Sequence, residues 1–237
     1  MYEKFAAIYD EMMSEIPYDE WFEKIHDLLL EYGIESGHVC ELGCGTGEMV
    51  RRLADAGYEV TGIDISPDML ALAAEKTQGQ EKVHYFEEDM TDFSLHKMAD
   101  VVLCICDSMN YLLREEDLLA MFRCIRENLA KGGICILDMK TAYCFQKVMG
   151  NQVRVDETED ALMIWDNTYE EETHINEYIL TMFVEEKETG MYERYDECHE
   201  QRAYSSEEIQ KLAERMSLQI ERVWTEDKIR TYFVLKA

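Results

Sequence analysis

Proline is almost missing from this chain, with two in 237 residues. No tether rich in Pro, Gly and Ser, no internal repeat and no low-complexity tract divides it. The sequence therefore reads as one full-sized domain, or one domain carrying a sizeable insertion. Positive charge is scarce too: 23 basic residues stand against 51 acidic ones, a net charge of −28. Phosphate backbones and anionic lipid surfaces call for a basic footprint, so neither nucleic acid nor a membrane is an expected partner. The acidity itself reads as solubility through self-repulsion. No apolar run approaches the roughly 20 residues of a membrane span, and "MYEKFAAIYDEMM" has neither the basic leader nor the apolar core of a signal peptide. There is no C-x-x-C pair, and the six histidines keep no ligand spacing with the eight cysteines, so no metal site is expected. Cys40, Cys44, Cys104, Cys106, Cys124 and Cys135 lie in apolar runs and read as small buried hydrophobes, Cys104 and Cys106 on one strand face. The cytoplasm is the expected compartment.

What is present is a regular alternation of strand and helix. "YDEWFEKIHDLLLEYG" spaces Trp21, Phe22, Ile25, Leu28, Leu29 and Tyr32 as one helical face and stops at Gly33. "HVCEL" is a strand, "EMVRRLADAG" a helix and "YEVTGIDI" a second strand. In "SPDMLALAAEK", Ser66 caps a helix with Pro67 at its first position. "KVHYFEED", "ADVVLCIC" and "GGICILDM" are three more strands, the last two separated by a helix with Leu118, Phe122, Ile125 and Leu129 on its apolar stripe. Such alternation implies a parallel sheet wound by helices on both faces. From Asn151 to Ala203 apolar and charged residues alternate instead, as in antiparallel strands with one wetted face, and this segment holds 16 acidic and 4 basic residues. "SSEEIQKLAERM" returns to helix through a capping box of Ser205 and Glu208. Two final strands join at a tight turn near Asp227.

Three glycines at alternate positions, Gly43, Gly45 and Gly47, follow the first strand and open a helix. Such a turn lets backbone approach a ligand closely and points helix N–H groups at it. The dinucleotide pattern G-x-G-x-x-G is not met, because the third glycine comes one residue early and Glu48 takes the place of Gly or Ala. Glu41 and Glu48 flank the loop, which suits a ligand carrying positive charge better than a pyrophosphate. Asp64 closes the second strand where a carboxylate can accept ribose hydroxyls, and Asp89 closes the third where one can accept an adenine amino proton. Adenosine with a cationic tail fits that set.

"VCELGCGTG", "GIDISPDML", "EEDMTDF", "CDSMNYL" and "GGICILDM" resemble, in order and separation, the motifs of the class I S-adenosylmethionine-dependent methyltransferases. The similarity covers about residues 36 to 140, and the last helix and strands resemble the reversed hairpin that completes that family's sheet. "YDEMM" followed by "YDEW" resembles a bacterial small-molecule subgroup, similar in layout to sugar N-methyltransferases and glycine N-methyltransferase. The resemblance implies an α/β fold: a Rossmann-like, doubly wound seven-stranded sheet, mostly parallel with an antiparallel C-terminal strand, plus an antiparallel β insertion. It divides the chain into an N-terminal helical lid (1–35), a cofactor-binding body (36–150 and 204–237) and an insertion (151–203) acting as substrate roof or dimer contact. It further implies that Gly43, Gly45 and Gly47 line the methionine part of the cofactor and that Glu41 holds its ammonium. Asp64 would bind the ribose, Ile65 pack on the adenine, and Asp89 with the Met90 backbone read the adenine edge. The Cys106 carbonyl would lie near the sulfonium, with Asp107, Ser108 and Asn110 following it. Tyr9 would close over the cofactor, with Tyr18 and Trp21 as further lid residues.

The implied reaction is methyl transfer from S-adenosylmethionine to a small-molecule acceptor at N or O, leaving S-adenosylhomocysteine, in a monomer or homodimer. Asp107, Tyr111, His174 and His199 are the candidates for a base, with Asp107, Tyr111 and His199 carried as catalytic. The acidity of the insertion favours a cationic or neutral acceptor such as an amine. Two other readings stand beside it: a nucleotide-dependent oxidoreductase on a related fold, and a non-catalytic S-adenosylmethionine-binding or assembly protein.

Overall fold

A computed structural model of the protein describes residues 16–157, 161–187 and 189–237. Tyr9 lies outside them. Helix α1 (Tyr18–Glu31) leads into strand β1 (His38–Leu42), helix α2 (Glu48–Asp55), strand β2 (Glu59–Asp64) and helix α3 (Pro67–Lys76). Strands β3 (Val83–Glu87) and β4 (Ala99–Cys104) follow with no helix between them, then a 3-10 turn (Ser108–Tyr111), helix α4 (Glu115–Asn128) and strand β5 (Leu129–Lys140). A π-helical turn (Cys144–Met149) opens the insertion, whose strands are β6 (Gln152–Glu157), β7 (Ala161–Glu170), β8 (Ile175–Glu186) and β9 (Met191–Arg202). Helix α5 (Ser206–Arg215) and strands β10 (Gln219–Glu226) and β11 (Arg230–Lys236) complete the chain.

The main sheet has seven strands in the order β3-β2-β1-β4-β5-β11-β10. Strands β1 to β5 pair in parallel, while β11 runs antiparallel to both β5 and β10. Sequence order reverses between β1 and β4, and in such sheets a crevice for ligands opens at the carboxyl ends on either side of that point. Each face is sealed by its own core. On one side Leu53 of α2, Leu70 of α3 and Val50 pack against Val39, Val60, Val101 and Leu103; on the other, Leu118, Phe122 and Ile125 of α4 with Ile209 and Leu212 of α5 pack on Leu42, Val102 and Leu137.

Of the segment expected as a lid (1–35), the described helix α1 packs into the core, with Ile25, Leu28 and Leu29 buried in the first of these clusters. The caps form as their residues dictate. The Ser66 hydroxyl accepts the Met69 N–H at 3.3 Å, and Ser205 and Glu208 make a reciprocal box at 3.2 and 2.7 Å. Between β10 and β11, Asp227 and Lys228 both take left-handed φ, closing the expected tight turn.

The insertion is one antiparallel sheet, β6-β7-β8-β9. Along β7 and β8 buried and more exposed positions alternate, as the sequence pattern requires of a sheet with one wetted face. Its inner face carries Met163, Trp165, Tyr178, Leu180, Met182 and Tyr195, and Met69 of α3 packs against this group. The sheet therefore spans from the helix that follows β2 to the turn that follows β4, above the carboxyl edge of the main sheet. Buried Asn110 anchors it: its Nδ2 donates to the Arg202 carbonyl at 2.8 Å and the Lys140 carbonyl at 3.1 Å, and its Oδ1 accepts the Lys140 N–H at 2.9 Å.

Candidate functional site

The glycine loop is held from below. The N–H groups of Gly43 and Cys44 both donate to the Ile63 carbonyl, at 2.8 and 3.0 Å, so β1 turns against the end of β2. All three glycines take left-handed φ, at +69°, +52° and +76°. A Cβ on Gly43 would lie 2.7 Å from the Ser108 hydroxyl, and one on Gly47 would lie 2.8 Å from the Tyr85 hydroxyl and 2.9 Å from the Ala73 Cβ. Neighbours dictate those two. Over Gly45 nothing lies within 4 Å of that position, so its bare backbone faces open space.

Asp64 locks the loop to β2. Its Oδ2 accepts the Gly45 N–H at 2.8 Å and its Oδ1 accepts the Ser66 N–H at 2.9 Å. An ionised carboxylate offers about four lone-pair sites, so two remain for a ligand. Beside it Glu41 is buried, with its Oε2 unpartnered. Burial, followed by repulsion from Asp64, pushes the Glu41 carboxyl up to about 8. Next in chain, Ile65 leaves 70% of its surface exposed, an apolar platform at the mouth of the crevice. Asp89 is exposed, and its Oδ1 accepts the N–H and hydroxyl of Thr91 at 2.8 and 2.7 Å, which fixes the turn carrying Met90. The Met90 side chain reaches over Gly43.

The two flanking acids do not act together. Burial works to raise the Glu48 carboxyl, but Lys76 at 2.8 Å and Arg52 at 2.5 Å outweigh it and hold it at about 2. Glu48 is thus paired at the start of α2, and of the two only Glu41 keeps an unpaired carboxyl oxygen.

Strand β4 ends at Cys104, and past Ile105 Asp138 captures two successive backbone donors. The N–H groups of Cys106 and Asp107 donate to its Oδ2 and Oδ1 at 3.2 and 2.7 Å, and both residues turn left-handed at φ +60° and +57°. Consequently Cys104 and Cys106 do not share a strand face: Cys104 lies in the α4–α5 core and Cys106 packs against the other. Arg230 of β11 bridges the acids, giving Nη1 to Asp138 and Nη2 to Asp107 at 2.8 and 2.7 Å, and Lys140 reaches Asp107 at 2.8 Å. Gln201 of β9 adds a third donor to the Asp107 carboxylate, at 2.8 Å. Burial works against ionisation of Asp107, yet Lys140 and Arg230 hold it at about 2. A carboxylate so committed is a poor proton acceptor, which corrects the expectation of Asp107 as a base.

Opposite this loop the insertion presents aromatic rings. Trp165 stacks on Tyr178 at 4.6 Å, Tyr178 stacks on His199 at 4.8 Å, and Tyr111 meets His199 edge-on at 5.9 Å. The hydroxyls of Tyr111 and Tyr178 are 2.5 Å apart, and His199 Nε2 lies 3.0 Å from Glu197 Oε2. Burial pushes the Tyr111 phenol up, so it stays protonated. Tyr111 and His199, distant in sequence, are thus brought together, whereas His174 sits in the β7–β8 turn with its Nδ1 3.2 Å from the Tyr169 hydroxyl. Tyr18 and Trp21 face cations: Arg52 lies 5.5 Å over the first ring and Arg230 5.0 Å over the second. Sequence reasoning missed Asp138, Arg230, Gln201, Tyr178 and Glu197. The period-two pattern of β9 puts Glu197, His199 and Gln201 on one face, but only the strand register sets them opposite Tyr178 and the 106–110 loop.

A family profile described as a methyltransferase domain matches residues 39–133. A protein named as a methyltransferase, YqeM of Bacillus subtilis, is 34% identical over 224 residues, spanning 94% of this chain and 88% of its own. Over 111 residues, 47% of this chain and 42% of the relative, the chain is 28% identical to a dTDP-3-amino-3,6-dideoxy-alpha-D-glucopyranose N,N-dimethyltransferase of Streptomyces fradiae. The crystal structure of an S-adenosylmethionine-dependent methyltransferase from Clostridium acetobutylicum superposes with a TM-score of 0.87 at 26% identity, covering 99% of this chain and 98% of that one. Nothing in these likenesses supports an oxidoreductase, and the chain belongs to the class I S-adenosylmethionine-dependent methyltransferases.

Proposed function

We propose that the carboxyl ends of β1, β2 and β3 hold S-adenosylmethionine and that the insertion roofs a small-molecule acceptor above it. The observation that carries this reading is the buried Glu41 carboxyl beside Asp64, whose Oε2 has no partner: no cation among the described residues pairs with it, and the cofactor's ammonium is one. The other residues fit the same group. Gly45 leaves room for close approach, Asp64 has lone pairs left for the ribose hydroxyls, and exposed Ile65 gives the adenine an apolar face. Asp89 and the Met90 backbone take the adenine edge, and Cys106 lies where the backbone turns beneath the reacting carbon.

When bound, the cofactor supplies a methyl group already activated on a sulfonium. The protein's part is alignment and exclusion of water, and proximity alone can lower a barrier by about 7–11 kcal/mol. Residues 36–150 and 204–237 form the binding body, with α1 as part of it, and 151–203 form the roof. The Streptomyces fradiae relative acts, by its name, on an amino sugar; here too the acceptor is read as a small molecule bearing a nucleophilic N or O. A net charge of −28 supports that over nucleic acid. Eight unpaired cysteines suit a reducing cytoplasm. Among the described residues no helix is long and apolar enough to cross a membrane. Calorimetry with S-adenosylhomocysteine tests the reading: binding that weakens sharply in Asp64→Ala supports it, and no binding to the wild-type chain refutes it.

A further inference from the structure

We propose that the inner face of the insertion takes an amine as methyl acceptor and that His199, oriented by Glu197, removes the amine's proton. This rests on the cofactor placement above. The pairing of His199 Nε2 with Glu197 Oε2 at 3.0 Å assigns the ring proton to Nε2, because an ionised carboxylate can only accept. Nδ1 is then the basic nitrogen. A base within hydrogen-bond reach of an orienting carboxylate is the arrangement by which histidines are prepared for proton transfer. Stacking on Tyr178 and the edge contact with Tyr111 hold the ring in place. Both members of the pair are largely enclosed, with side chains 26% and 12% exposed.

The charges choose the acceptor. Groups facing His199 are Glu197 on its own strand, Tyr178 on β8 and Tyr111 on the 3-10 turn; Asp64 and Asp107 lie within electrostatic range of Tyr111. Asp107 is neutralised by Lys140 and Arg230, whereas Asp64 has no cation at hand among the described residues. Most nearby cations are taken up by acids: Lys140 and Arg230 by the buried pair, Arg194 by Asp196 and Arg202 in part by Glu208, its Nε staying unpartnered; Arg154 of β6, opposite Trp165, donates to the Val148 carbonyl. A phosphate or carboxylate acceptor beside His199 would meet the negative charge of Glu197 and Asp64, while an ammonium is drawn in. Once deprotonated, the nitrogen lone pair forms the N–C bond as the methyl–sulfur bond breaks, leaving its electron pair on sulfur and the proton on His199 Nδ1.

The test begins without turnover. In the full chain labelled with 15N-histidine, proton–nitrogen correlation spectra should show His199 as the Nε2–H tautomer, and Glu197→Ala should give a mixture; an Nδ1–H tautomer in the wild type overturns the assignment. Methyl transfer is then followed with radiolabelled S-adenosylmethionine and glucosamine, agmatine or tyramine against N-acetylglucosamine and propionate. At least one amine should be methylated and neither control. His199→Ala should lower kcat about 100-fold, with KM for the cofactor unchanged and partial recovery in added imidazole. Glu197→Gln should lower kcat, and Glu197→Asp should recover part of it. Methylation of none of the amines, equal use of the controls, or unchanged kcat in His199→Ala refutes the proposal. S-adenosylhomocysteine binding, measured on every variant, separates the two failures: if it is intact, only the dyad falls, and if it is absent from the wild type, the cofactor placement falls as well.

Discussion

Replacing Glu41 with Gln removes a charge that the fold tolerates poorly and that, on the proposed placement, the cofactor's ammonium needs. In the ligand-free protein the Glu41 carboxyl is raised from 4.5 to about 8. The native state therefore binds this proton more tightly than the unfolded chain, so its contribution to stability is fully present below pH 4.5 and is lost as pH rises toward 8. The whole shift corresponds to about 5 kcal/mol, and the part lost by pH 7 to about 3 kcal/mol. Glu41→Gln, isosteric with the neutral acid, should match the wild type at pH 4 and exceed it by about 3 kcal/mol at pH 7. That is roughly 6 to 12 °C in Tm for a chain of this size. Cofactor binding runs the other way, because an ammonium beside the carboxylate favours its ionised form. Wild-type protein should release close to one proton on binding S-adenosylhomocysteine at pH 7, with affinity rising up to about pH 8; the variant should release none and bind more weakly. Thermal unfolding at pH 4 and 7, with calorimetry in two buffers of different ionisation enthalpy, reads both effects. If the variant gains nothing at pH 7 and the wild type releases no proton, Glu41 is not the ammonium acceptor.

The glycines separate structural from ligand-facing roles. Gly47→Ala drives a methyl to 2.8 Å from the Tyr85 hydroxyl and should cost about 1–3 kcal/mol in urea unfolding. At Gly45 there is space for a methyl, so Gly45→Ala should cost only about 1–2 kcal/mol of backbone strain while reducing S-adenosylhomocysteine affinity. Asp64→Ala removes the acceptor proposed for two ribose hydroxyls and should weaken that affinity at least about 10-fold by calorimetry. Arg230→Met leaves Asp138 without its cation and should destabilise the fold by about 3–5 kcal/mol at pH 7.

Local physics made much of this legible from sequence. Ser66 with Pro67, and Ser205 with Glu208, fix helix starts through hydrogen bonds made within one turn, and the structure has both. Glycines at alternate positions after an apolar strand announced a turn that only positive φ can make, and all three have it. Long-range partners were not legible. Glu41 and Glu48 look alike as acids beside the loop, yet Lys76, 28 residues on, pairs with one and nothing with the free oxygen of the other. Asp107 looked like a base because its cations come from Lys140 and Arg230, the second 123 residues away. Tyr111 and His199 are distant in sequence; they meet because the register of β8 against β9 sets His199 beside Tyr178, whose hydroxyl Tyr111 reaches from the 3-10 turn.

The same long-range cluster ties the chemistry to the completion of the fold. Two consecutive non-glycine residues in the left-handed region, Cys106 and Asp107, are strained by about 1–3 kcal/mol each. Local bonds are few, from the Ser108 hydroxyl to the Ile105 carbonyl and from the Asn110 N–H to the Asp107 carbonyl; the bonds to the Cys106 N–H and to the Asp107 N–H and carboxylate come from Asp138 and Lys140 on β5, Arg230 on β11 and Gln201 on β9. Strand β11 lies between β5 and β10 and arrives last in the chain, so the turn beneath the reacting edge reaches its shape only when the C-terminal hairpin has docked and the insertion has closed. The residues proposed to hold the cofactor, in the glycine loop and at the end of β2, need no such closure, since Gly45 and Asp64 hold each other across 19 residues. Loosening the hairpin should therefore cost methyl transfer more than it costs cofactor affinity. In Arg230→Lys, which keeps one charge but not the two-pronged bridge, kcat should fall while S-adenosylhomocysteine binding stays near wild type; equal losses in both would show that the two halves of the site are built as one.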